Sequence, residues 1–91
     1  MTHVDVIPPR KDDGLAAVKQ LGHDSRAAAG NVRFEVAQQT NRANHFTVME
    51  IWKDAKAVEA HSMAEATRQF RDKLGPMSGA LYDERMFKAV E

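Results

Sequence analysis

The residues best suited to chemistry gather in one stretch. Asn44-His45-Phe46-Thr47-Val48-Met49-Glu50-Ile51-Trp52-Lys53-Asp54 is followed shortly by Glu59-Ala60-His61. It contains the only tryptophan, and imidazole and carboxylate groups besides. An imidazole titrates near neutral pH, so it can accept a proton from a phenol or enol held against it. An indole offers a flat apolar wall with one N–H on its edge. His61 is therefore the candidate general base, and Trp52 the candidate wall for a ring. Each also has a structural use of at least equal weight. His61 can serve a helix C-terminus, and Trp52 can fill the core.

The elements that position these groups follow from periodicity. Thr2 to Ile7 alternate as a strand and stop at Pro8-Pro9. Asp12-Asp13 supply an N-cap and first-turn acids for a helix carrying Leu15, Val18 and Leu21, which Gly22 weakens and Gly30-Asn31 ends. Val32 to Gln39 is a second strand with Phe34 and Val36 on one face, and the turn Thr40 to Asn44 returns the chain into a third, His45 to Trp52. On that third strand Phe46, Val48, Glu50 and Trp52 share one face, while His45, Thr47, Met49 and Ile51 share the other. Asp54 caps a short helix through His61. Ser62-Met63-Ala64-Glu65 has the spacing of a capping box for a helix with Ala66, Phe70 and Leu74 one turn apart. Gly75-Pro76 ends it, and Leu81 to Phe87 forms the last strand.

The order is β-α-β-β-α-β. With right-handed crossovers this predicts an α+β, ferredoxin-like fold: a four-stranded antiparallel sheet covered by helices on one side. The uncovered face would carry Met49, Ile51, Ile7 and Phe87. Such a patch invites a second copy, so a homodimer joined sheet to sheet into a shared barrel is expected.

Composition narrows the function. Ninety-one residues make a single domain, 1–91. Thirteen basic residues balance thirteen acidic ones, so there is no cationic footprint for nucleic acid. Cysteine is absent, which removes thiolate metal sites and cysteine nucleophiles. No apolar run reaches membrane-spanning length and no signal-peptide core is seen, so a cytoplasmic protein is expected. The histidines match neither HxH nor HExxH, so no metal is expected. His3, His45 and Asp5 fall on the dimer-facing parity, where an Asp-His contact between strands or subunits is conceivable. His23, beside Asp24, reads as solvated. Glu50 faces the helices and needs a partner, with Arg68, Arg71 and Arg85 as candidate counter-ions. Met49, Met63, Met77 and Met86 read as adaptable packing.

The chain resembles the antibiotic biosynthesis monooxygenase (ABM) family of dimeric α+β barrels. The residues that carry the resemblance are Gly30-Asn31-Val32-Arg33-Phe34, Gln38-Gln39, Asn44-His45-Phe46, Glu50-Ile51-Trp52, Ala60-His61, Phe70-Arg71 with Leu74, and Tyr82-Asp83-Glu84-Arg85. The resemblance implies a cofactor-independent monooxygenase that oxidises a small electron-rich aromatic (a quinol, anthrone or polyketide-like ring) with molecular oxygen. In that frame Phe34, Phe46, Val48 and Phe70 join Trp52 around the substrate. From their own chemistry, Arg71 either pairs with Glu50 or anchors an anionic substrate group, and Tyr82 lines the pocket or fills the core. Relatives often carry a few more residues before the first strand, which is expected to be shortened here.

Two positions depart from the family. Some cofactor-free members place a substrate-contacting asparagine four residues before the tryptophan, where this chain has Val48. Haem-degrading relatives carry a tryptophan near position 61 and a haem-ligating histidine about ten residues on. Here His61 precedes Phe70-Arg71, so the haem ligand is missing. A polyketide cyclase or isomerase on the same barrel, or a non-catalytic dimer that binds a small aromatic, remain the alternatives. A pocket too small for a ring would favour the last.

Overall fold

Alternation sets the first strand, because Thr2 and Val4 point inward while His3 lies exposed between them. The computed structural model describes residues 1–78, 83 and 84. Strand β1 spans Thr2–Asp5, and Val6 continues its line as an isolated bridge to Ser78. Pro8–Arg10 form one 3-10 turn, and helix α1 (Lys11–Arg26) begins directly from it. The expected Asp cap is therefore absent: Arg10 is the N-cap and makes no side-chain cap, while Asp12 and Asp13 sit inside the first turn. Prolines preset the entry into the turn, so no side-chain acceptor is needed there.

Helix α1 ends at Arg26, earlier than expected, and Ala27 is its C-cap. Gly30 acts one step later, at φ +83, where it turns the chain into strand β2 (Asn31–Gln39). A side chain there would be strained by that φ, and its Cβ would lie 2.6 Å from the Ala57 Cβ. Strand β3 (Arg42–Trp52) starts three residues before the expected His45, after a tight turn at Thr40-Asn41. Its register against β2 runs from Asn31 opposite Trp52 to Gln38 opposite Phe46, with irregularities at both ends.

Asp54 caps helix α2 (Ala55–Ser62) as expected, accepting the Ala57 N–H at 2.9 Å. The expected capping box does not form. Ser62 belongs to the last turn of α2, where its hydroxyl donates to the Glu59 carbonyl at 2.7 Å. Helix α3 (Glu65–Leu74) starts from Ala64 and buries Thr67, Phe70 and Leu74. A 3-10 turn at Gly75–Met77 stops it.

The sheet order is β2-β3-β1-β4, where β4 is Asp83–Glu84 paired antiparallel to β1. This is the ferredoxin-like α+β arrangement. The remainder of the expected last strand, with Tyr82, Arg85 and Phe87, lies outside the described residues.

One face of the sheet carries the core. Val4, Val6, Phe34, Phe46 and Val48 meet Val18 and Leu21 of α1, Phe70 and Leu74 of α3, and Met77. Phe46 is 1% exposed, and full burial of such a side chain contributes about 1.5–3 kcal/mol. The opposite face is open. Met49 is 46% and Ile51 49% exposed, on the same strand as buried Phe46 and Val48. The predicted division of β3 into two faces is what the structure shows.

Candidate active site

Strand β3 ends in Glu50 and Trp52 on the helix-facing side, and α2 returns over that end carrying His61 in its last turn. The Trp52 Nε1–H donates to Glu50 Oε1 at 2.7 Å. Residues two apart on a strand share a face, which makes this bond possible within one element. The His61 ring lies over Trp52, with centroids 4.4 Å apart and planes at 37°, and meets Phe34 at 6.0 Å and 59°. Its Nδ1 is 3.7 Å from Glu50 Oε1, an electrostatic contact too long for a direct hydrogen bond.

The other imidazole nitrogen faces hydroxyls. His61 Nε2 is 2.8 Å from Ser25 Oγ of α1 and 3.4 Å from Thr67 Oγ1 of α3. Thr67 also donates its hydroxyl to the His61 carbonyl at 2.7 Å, which ties α2 to α3. The ring is thus held from four directions by β3, α1, α3 and the neighbouring Phe34. With its side chain 10% exposed, it is a largely enclosed imidazole beside a carboxylate.

A small cavity opens beside this cluster, with a volume of about 30 Å³. Of its lining, Val48, Phe70, Arg71 and His61 belong to the residues expected around a substrate, and Thr2, Glu50 and Thr67 were not among them. The cavity has room for ordered water but not for a ring, since benzene occupies an apolar cavity of about 150 Å³. Arg71 donates to the Ser62 carbonyl at 3.4 Å, across the junction of α2 and α3.

The expected residues divide. His61, Trp52, Phe34, Val48, Phe70 and Arg71 gather around the cluster. Phe46 instead lies on the far side, bordering a separate cleft beneath α1. Tyr82 lies outside the described residues. Glu50 was expected to pair with Arg68, Arg71 or Arg85. Its partners in the structure are Trp52 and His61, while Arg68 pairs with Glu65 along α3. Thr67 was legible in principle, because it shares a helix face with Phe70 and Leu74. Ser25 carried no such signal: one serine in the last turn of a helix has many uses.

On the open face Asp5 Oδ1 and His45 Nδ1 are 3.0 Å apart between neighbouring strands, and His3 meets Thr47 at 3.2 Å. Among the described residues no group of three or more His, Asp or Glu side chains could hold a metal ion. Nor, among them, is any helix long and apolar enough to cross a membrane.

A family model for antibiotic biosynthesis monooxygenases matches residues 1–73. The chain belongs to the antibiotic biosynthesis monooxygenase family. Among curated relatives it is similar to the Bacillus subtilis (strain 168) protein named "Putative monooxygenase YcnE", at 28% identity over 60 residues. That match spans 66% of this chain and 63% of the relative. In fold it is similar to "Putative antibiotic biosynthesis monooxygenase from Nitrosomonas europaea", with a TM-score of 0.89, 19% identity, and 99% and 95% of the two chains covered. A second solved structure, named "antibiotic biosynthesis monooxygenase", aligns with a TM-score of 0.92, 17% identity and the same coverage. The ABM family match includes β3, α2 and nearly all of α3, and therefore the whole His61 cluster.

Proposed function

We propose that this ABM-family chain is a cofactor-independent monooxygenase that oxidises a small electron-rich aromatic, of quinol or anthrone type, with molecular oxygen beside His61. The observation that carries this reading is the part-buried imidazole lying against Trp52, with Glu50 beside it and both groups, His61 and Glu50, on the lining of one small cavity. His61 accepts the phenol or enol proton. Glu50 faces the imidazolium so formed, and Trp52 fixes Glu50 through its N–H. Arg71, on the cavity lining, stabilises the substrate anion.

The electrons then come from the substrate. The anion passes one electron to O₂, and the resulting radical and superoxide combine through a new C–O bond to a peroxide anion. His61 returns its proton to give a hydroperoxide. Loss of water leaves a carbonyl: anthrone plus O₂ gives anthraquinone plus water, with one oxygen atom in each product. Val48 and Phe70 supply apolar wall to the cavity, which limits the water that can reach the reacting atoms.

A ring requires the cavity to enlarge, and α2 is the element suited to move. It contains no buried residue, and its hydrogen bonds to α1 and α3 gather at its last two residues, His61 and Ser62. The chain works as one domain and as a homodimer through the open sheet face, where Met49 and Ile51 would be covered.

A second reading, a dimer that binds a small aromatic without turning it over, is favoured by the 30 Å³ volume alone. Oxygen uptake by the metal-free protein with anthrone and menadiol separates the two. Acceleration over buffer supports the monooxygenase. Saturable binding without uptake supports the second reading, and conversion under strict anaerobiosis would mean cyclase or isomerase chemistry instead.

A further inference from the structure

A cleft larger than the His61 cavity lies elsewhere. Between α1 and the β2–β3 hairpin a cavity of about 330 Å³ is lined by Leu15, Lys19, Arg26, Val36, Gln38 and Phe46. It shares no lining residue with the His61 cavity and is about ten times its volume. A volume near 300 Å³ is the lower end of the range that holds small-molecule ligands.

Its chemistry is polarised. Leu15 and Val36 are only partly buried and form apolar walls, with Phe46 beneath them. The other side carries two cations, Lys19 and Arg26, and among the described residues no carboxylate lines it. Arg26 is held in place: its Nε donates to the Phe34 carbonyl at 2.9 Å, so the guanidinium spans from helix to strand. Gly22 leaves room for it, since a Cβ there would meet both terminal nitrogens at 3.3 Å and a Val36 methyl at 3.4 Å. A guanidinium anchored through Nε on the lining of the cleft, with neither terminal nitrogen used in that bond, suits a planar anion.

We infer that this cleft is a second binding site, for a small aromatic carboxylate. The ring lies between Leu15 and Val36, and the carboxylate meets Arg26 and Lys19. The site is independent of the oxygenase reading and uses none of its groups.

The probe is 2-naphthoate, followed by ¹H–¹⁵N NMR titration of the full chain. Expected are saturable shifts at the amides of Leu15, Lys19, Arg26 and Val36, with a Kd of about 1 mM or tighter. The uncharged 2-naphthylmethanol should bind at least about fivefold more weakly, and added NaCl should weaken the naphthoate alone. Lys19→Glu, an exposed substitution whose fold the same spectra verify, should weaken naphthoate about tenfold. His61→Ala should bind it unchanged, and Lys19→Glu should leave oxygen uptake with anthrone unchanged, so failure of either reading is visible without the other. Shifts confined to residues around His61, equal binding of the alcohol, absence of saturation, or wild-type affinity in Lys19→Glu would each overturn the assignment.

Discussion

The Trp52 indole donates its N–H to Glu50, two residues earlier on the same strand, at 2.7 Å. This bond converts a part-buried carboxylate into a fixed group facing His61. Trp52→Phe keeps most of the ring but removes the donor. Its expected cost is about 1–3 kcal/mol in urea unfolding. Oxygen uptake should fall as well, because Glu50 is no longer held against the imidazole.

The open sheet face makes the dimer testable. Replacing Met49 and Ile51 together by lysine puts two charges where apolar side chains now stand about half exposed. Light scattering after size exclusion should report a dimer for the parent chain and a monomer for the double variant. A parent chain that is monomeric at high micromolar concentration would refute this interface.

The sheet-to-helix core should be intolerant of truncation. Phe46 is 1% exposed, so Phe46→Ala should cost about 3–5 kcal/mol and lower Tm by roughly 15 °C or more. That is a large part of the stability of any small domain.

These core positions were legible in the sequence because a strand repeats every two residues. Phe46, Val48, Glu50 and Trp52 therefore had to share a face, whatever lay opposite. What lay opposite was not legible. Arginines were the natural partners for Glu50, but the actual ones are its neighbour Trp52 and a histidine eleven residues on in the chain, brought back by the turn of α2 over the strand end. Ser62 misled for a related reason. Its spacing to Glu65 fits a capping box, yet its hydroxyl donates backward to Glu59, and the helix it seemed to start begins later. Local side-chain bonds of serine compete on nearly equal terms, and spacing does not decide among them. The size of the cavity beside His61 depends on how two helices close over a sheet, which no local pattern encodes.

Charge on α3 supplies a pH test. Arg68 bonds Glu65 one turn earlier, and this hydrogen bond, together with the guanidinium charge, holds the Glu65 carboxyl below its usual value of 4.5. A lowered folded-state pKa means that the pair supports α3 above the usual carboxylate range and loses that support as pH falls through the lowered value. In a carboxyl-carbon NMR titration, the Glu65 midpoint should rise in Arg68→Ala. The difference should shrink in high salt, since both side chains are exposed.

The central claim is that His61 accepts the substrate proton. The most direct measurement is kcat for oxygen uptake with anthrone, comparing the parent chain with His61→Ala, after circular dichroism has shown the variant folded. Loss of a positioned general base predicts a fall of about 10²-fold or more, with partial rescue by added imidazole. A folded His61→Ala variant that retains the parent rate would contradict the account.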